Sequence, residues 1–173
     1  MRMARRILPL LLAMVLAGCG WHPVYGPVGG AGSAAGSGLA AIDVGLIPER
    51  SGQLLREALK ARFERQGASV ARQYDLAISY QISSDGIAIQ RDNSTSRVRI
   101  LARASWSLTA QDAKRTQLVT GISRQVDGYN VFVNQYFAAD LESEAVIRRL
   151  SDAVADDITQ QLAVWFDRQK PAG

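Results

Sequence analysis

Cysteine and histidine are almost absent from this 173-residue sequence, which holds one of each. A lone cysteine excludes an intramolecular disulfide and any metal site built on paired thiolates. A lone histidine, His22, removes most Ser/His and Cys/His catalytic arrangements. No apolar run approaches the ~20 residues that a membrane-spanning helix needs. The longest apolar stretch, 7–17, is broken by Pro9. What is present is ordinary for a folded domain: 47% apolar and 21% charged residues. Such a chain buries enough surface to offset its ordering entropy, so disorder throughout is excluded. The length suits one domain rather than two.

Three of the twenty basic residues, Arg2, Arg5 and Arg6, stand ahead of that apolar stretch. A basic start, eleven apolar residues and a small-residue stop make a secretory signal segment, expected over 1–18. Its end, Leu16-Ala17-Gly18-Cys19, resembles the lipobox of bacterial lipoprotein export signals in all four positions. The alternative is a conventional signal peptide that happens to contain a cysteine. The resemblance implies that Cys19 becomes the N-terminus and carries covalent lipid, its only cofactor-like group. One acyl chain holds a protein to a membrane marginally, whereas two or three hold it stably. Gly20 at the second position resembles the sorting pattern for the outer membrane, hence an anchor in its periplasmic leaflet. From Cys19 onward there are seventeen basic and sixteen acidic residues, so nothing marks a nucleic-acid partner.

Residues 27–38 are Gly, Ala, Ser, Pro and Val without charge, and 19–38 is expected to be a lipidated, flexible tether. No Gly-Lys-Ser/Thr follows the glycines, which argues against a phosphate cradle. The folded domain is expected over 39–168. Residues 41–47 predict a strand ending at Pro48, and 51–66 predict a helix with Ser51 as N-cap and Gly67 as its stop. Residues 74–82 alternate as a half-buried strand, which Asp85-Gly86 should bend or break. In 97–109 every even position is apolar, while Arg97, Arg99 and Arg103 fall at odd positions. Leu118, Thr120, Ile122 and Val126 mark a fourth strand. Residues 127–139 predict an irregular loop with four aromatics, and Asp140 should cap a last helix striped by Ile147, Leu150, Val154, Ile158, Leu162 and Trp165. The order β-α-β-β-β-α predicts an α+β two-layer sandwich: about four mainly antiparallel strands with two helices on one face.

The segment Gly18-Cys19-Gly20-Trp21-His22-Pro23-Val24-Tyr25-Gly26, followed by this order of elements, resembles the LPS-assembly lipoprotein (LptE) family. Leu55-Arg56-Glu57-Ala58-Leu59, the arginine-bearing third strand and Asp127-Gly128-Tyr129-Asn130 extend the likeness over most of the chain. The resemblance implies an outer-membrane subunit that plugs the LPS translocon β-barrel protein LptD and helps it assemble. It also implies lipopolysaccharide binding, with Arg91 at the position of a family contact. The family's lysine just ahead of the last helix falls on Ala138 or Ala139 here. From the residues themselves, Arg97, Arg99 and Arg103 project on one strand face beside Leu101, which suits lipid phosphates next to acyl chains. A solvated antiparallel face is the plain alternative. Tyr129, Asn130 and Phe132 are the candidates for contact with the barrel, although the loop aromatics could equally fold into the core.

Catalysis has little to stand on. No Gly-x-Ser-x-Gly or His-Glu-x-x-His occurs, and Asp152, Asp156 and Asp157 read as the solvated face of the last helix. A glycosidase needs two carboxylates on opposite sides of a cleft, an arrangement the sequence does not exclude. The other rival is a different envelope lipoprotein, either a pilotin for a secretion pore or an auxiliary subunit of a lipid transporter.

Overall fold

The computed structural model describes residues 34–64, 70–89, 95–131 and 136–169. Its elements are α1 (Ala34–Ala40), β1 (Ile42–Val44), α2 (Glu49–Glu64), β2 (Tyr74–Ile89), β3 (Thr95–Ala110), β4 (Gln117–Asn130) and α3 (Tyr136–Gln169). The strands form one sheet in the order β1-β2-β3-β4. β1 runs parallel to β2 across the α2 crossover, whereas β2, β3 and β4 form an antiparallel meander. The expected α+β class and four strands hold. The sheet is mixed, and a helix precedes the expected elements.

Alternation in β3 decides where the core lies. Ile100, Ala102, Ala104, Trp106 and Leu108 are all buried under the helices, and Leu76 joins them from β2. Leu55, Leu59 and Phe63 recur at four-residue spacing on α2 and are fully enclosed. Val146, Leu150, Val154, Ile158 and Leu162 do the same along α3. Each such side chain contributes about 1.5–3 kcal/mol by leaving water. Arg62, near the end of α2, ties the helices together: its Nε donates to Asp156 at 2.6 Å and its Nη2 to the Asp152 carbonyl at 3.1 Å. Asp152 and Asp156 therefore face a cation of the neighbouring helix rather than solvent alone.

Four expectations need correction. The stretch read as the end of a flexible tether contains α1, whose Ala35 and Leu39 lie in the core. Its small residues give little helix-forming signal alone, but they let the backbone close on α3. A Cβ at Gly38 would sit 2.6 Å from the Phe166 ring. Arg72 donates to the carbonyls of Ala40 and Ile42, binding the end of α1 and the start of β1. Second, α2 begins at Glu49, so Ser51 lies inside its first turn rather than capping it.

The bend expected at Asp85-Gly86 is present as a bulge between Gly86 and Ala88, through which β2 continues to Ile89. Third, residues 127–130 are not loop. Asp-Gly reads as a turn in sequence, yet a Cβ at Gly128 would lie 2.6 Å from the Val98 carbonyl oxygen. The glycine is what allows β4 to pair with β3 there. Asp127 accepts from Arg149 at 2.9 Å, which fastens this end of β4 to α3. Fourth, the last helix starts at Tyr136, so Asp140 belongs to its interior rather than capping it.

Candidate functional site

The two faces of the sheet differ completely. Helices α2 and α3 cover one, and nothing among the described residues covers the other. Alternation along β3 sends Arg97, Arg99 and Arg103 to this open face, all three exposed. Side chains two residues apart on one face stand about 6.5–7 Å apart. The three predicted strand arginines thus share one face, with Arg97 and Arg99 adjacent and Arg103 about 13 Å further along the strand. Arg91 and Cys19, the other two predicted contact and anchor residues, lie outside the described residues, as does Phe132.

Register adds what the linear pattern does not contain. Arg103 pairs with Arg124 of β4, Leu101 with Val126, and Ser105 with Ile122. On the β2 side Arg103 faces Gln81, Leu101 faces Ser83 and Arg99 faces Asp85. Arg99 makes a 3.5 Å ion pair with Asp85. No carboxylate among the described residues lies within ion-pair distance of Arg97, Arg103 or Arg124. Arg124 is a site residue that sequence reasoning missed. Its only signal is the hairpin register, which cannot be counted reliably through a six-residue turn with an irregularity at Leu108 and Thr109.

The parity of β4 is also the reverse of its apolar pattern. Ser123 is buried under α3, whereas Ile122 is 49% and Val126 59% exposed. The helix-facing positions of β4 are Val119, Gly121, Ser123, Gln125, Asp127 and Tyr129, mostly small or polar. Pairing with the strongly alternating β3 outweighs the weaker preference of β4. The consequence is an open face that mixes exposed aliphatics with cations, of which Arg97, Arg103 and Arg124 have no carboxylate partner among the described residues.

Beside this row the face is concave. A shallow trough of about 900 Å³ is lined by Ala77, Ser79, Ser105, Ser107, Thr120 and Ile122. Gly121 contributes backbone to it because the Trp106 ring lies over that glycine on the far side. A smaller hollow of about 370 Å³ opens on the other side of Arg103, where Tyr80, Ser83 and Leu101 meet Glu49. The Tyr80 phenol contacts the Ser151 hydroxyl at 3.3 Å; burial raises its pKa, and that hydrogen bond opposes the rise.

The partner residues proposed from sequence divide. Asn130 is exposed at the end of β4, opposite Arg97. Tyr129 is half-buried against the core on the helix side, so it packs the domain instead of standing free for a partner. Phe137, from the same aromatic cluster, is 77% exposed on the first turn of α3, one turn before the exposed Leu141. Among the described residues, no three His, Cys, Asp or Glu side chains group to hold a metal. Nor is any described helix long and apolar enough to cross a membrane.

Comparison with known proteins places this architecture. A search of curated protein sequences gives no match. Among solved structures, a lipoprotein from Caulobacter crescentus CB15 superposes with TM-score 0.58 at 21% identity, covering 77% of this chain and 96% of that one. The rare lipoprotein B from Shewanella oneidensis gives 0.57 at 11% identity over 73% and 96%. A minor lipoprotein from Acinetobacter baumannii gives 0.53 at 15% over 71% and 90%. At these identities the likeness establishes the fold. The family model described as LptE, lipopolysaccharide-assembly, matches residues 39–162.

Proposed function

This chain belongs to the LptE lipopolysaccharide-assembly family, and from that premise we propose that it is an outer-membrane lipoprotein, held by lipid on Cys19, that plugs and helps assemble the LPS translocon barrel LptD and binds lipopolysaccharide in transit. Its role is non-catalytic: it holds and orients a partner and a lipid. The observation that carries the reading is the asymmetry of the sheet. One face is packed against the helices, which bury its centre. The other presents Arg97, Arg99, Arg103 and Arg124 among Leu101, Ile122 and Val126. A solvated antiparallel face is normally polar throughout. Cations interleaved with aliphatics instead suit a ligand that carries phosphates beside hydrocarbon. Exposed Phe137 and Leu141 on α3 supply apolar contact for a protein surface such as the barrel interior.

Affinity isolation of the lipidated protein from detergent-solubilised outer membranes tests this. A large β-barrel protein in near-stoichiometric amount is the expected result. Recovery of a secretion pore or a lipid-transport complex in its place would refute the proposal.

A further inference from the structure

Arg103 and Arg124 stand directly opposite each other on adjacent strands, both exposed and neither paired with a carboxylate among the described residues. Opposed cross-strand side chains have Cβ atoms about 4.5–5.5 Å apart, and like charges in that relation destabilise a sheet. A Gln or Thr at either position would fold more comfortably, so the pair calls for an anion between its guanidinium groups. The surroundings specify the kind of anion. On one side lies the trough, with the hydroxyls of Ser79, Ser105 and Thr120 making no side-chain hydrogen bond among the described residues. On the other side lie Leu101 and Val126, half-buried and 59% exposed respectively.

Resting on the lipopolysaccharide reading above, we propose that Arg103 and Arg124 jointly seat one phosphate of an acylated phosphosaccharide. Its sugar ring lies over the hydroxyl-lined trough and its first acyl segment over Leu101 and Val126. Two planar donor forks from opposite strands enclose a tetrahedral phosphate, a geometry that a single arginine cannot supply. Arg99 is a poorer seat because Asp85 already competes for it.

The test uses the full lipidated protein in detergent with purified lipid A, in its bisphosphorylated and its dephosphorylated form. Arg103→Gln and Arg124→Gln are each expected to weaken binding of bisphosphorylated lipid A about tenfold at low salt. The double variant should lose little more than either single one, because both grip the same group. Arg99→Gln should lose less. The loss should shrink at high salt, where exposed charges are screened over about 8–10 Å. Arg124→Gln should also raise the melting temperature of the lipid-free protein, since it removes the like-charge opposition.

Wild-type binding that the two glutamine variants leave unchanged overturns the seat while leaving the lipopolysaccharide reading intact. An equal loss for the dephosphorylated lipid overturns it as well. So does loss of barrel association with lipid binding retained, which would assign the pair to an acidic protein partner. Absence of lipid A binding by the wild-type protein would instead remove the reading on which the seat rests.

Discussion

Replacing Gly121 by alanine should damage the domain far more than one methyl group suggests. An ideal Cβ there lies 2.3 Å from Trp106 Cζ2, 2.6 Å from its Cε2 and 2.7 Å from Gln161 Oε1. Carbon atoms rest at about 3.5–4.0 Å, so the ring would have to retreat by more than ~1 Å. Gln161 can swing away, at the loss of its bond to the Ile122 carbonyl. Trp106 cannot, because it is 4% exposed and backed by the helix layer. Overpacking of this kind costs about 1–3 kcal/mol, and three contacts below 3 Å put Gly121→Ala near ~3 kcal/mol. At about 4 °C per kcal/mol for a domain of this size, the melting temperature should fall by about 12 °C. Urea denaturation followed by tryptophan fluorescence measures the loss, with an unchanged slope expected. In a Trp106→Leu background the same alanine should cost at least ~1 kcal/mol less, the signature of a direct clash. A stability loss below ~0.5 kcal/mol for Gly121→Ala, or full additivity with Trp106→Leu, would refute this account of why β4 carries a glycine.

Cys19→Ala should release the protein from membranes without changing its unfolding transition, because every described core residue lies at or beyond Ala35. Intact mass should match a chain beginning at Cys19 with diacylglyceryl and N-acyl additions, and an unlipidated or full-length mass would contradict the anchor. Asp127 tests the β4–α3 tie through pH. Burial raises its pKa, but the Gly128 N–H and the Arg149 guanidinium outweigh this and hold it below the usual value. A carboxylate depressed in the folded state stabilises above its unfolded pKa and loses that contribution as pH falls through the folded value. Asp127→Asn should therefore cost ~0.5–1 kcal/mol at pH 7, and the difference from wild type should vanish as pH drops below about 4. Phe137→Ser should leave stability within ~0.5 kcal/mol of wild type, given its exposure, yet reduce the barrel protein recovered by affinity isolation. Undiminished recovery would remove α3's first turn from the interface.

Much of the fold was legible because its strongest signals are local. The α2 stripe at Leu55, Leu59 and Phe63 and the α3 stripe from Ile147 to Trp165 follow from helical period alone. The strict alternation of 97–109 identified both the buried face of β3 and the arginines on the other. The terminal segments were read from motif chemistry, and Cys19, Arg91 and Phe132 remain expectations outside the described residues. Local patterns misled where backbone approach set the outcome. Residues 127–130 looked like the start of an irregular loop, but they continue β4, and Gly128 is needed there because the Val98 carbonyl comes too close for any side chain.

By itself, then, the sequence determined the α+β class, the two amphipathic helices and the arginine face of β3, since these depend on periodicities of 3.6 and 2 within one segment. Only the tertiary structure decided the rest. Helix α1 exists because Gly38 lets it close on Phe166, a contact made by residues far apart in the chain. The exposure of Ile122 and Val126, and the placing of Arg124 opposite Arg103, follow from strand register. A slip of one residue would turn every side chain of β4 to the other face, and no property of β4 alone prevents it. Pairing with the unambiguous alternation of β3 does.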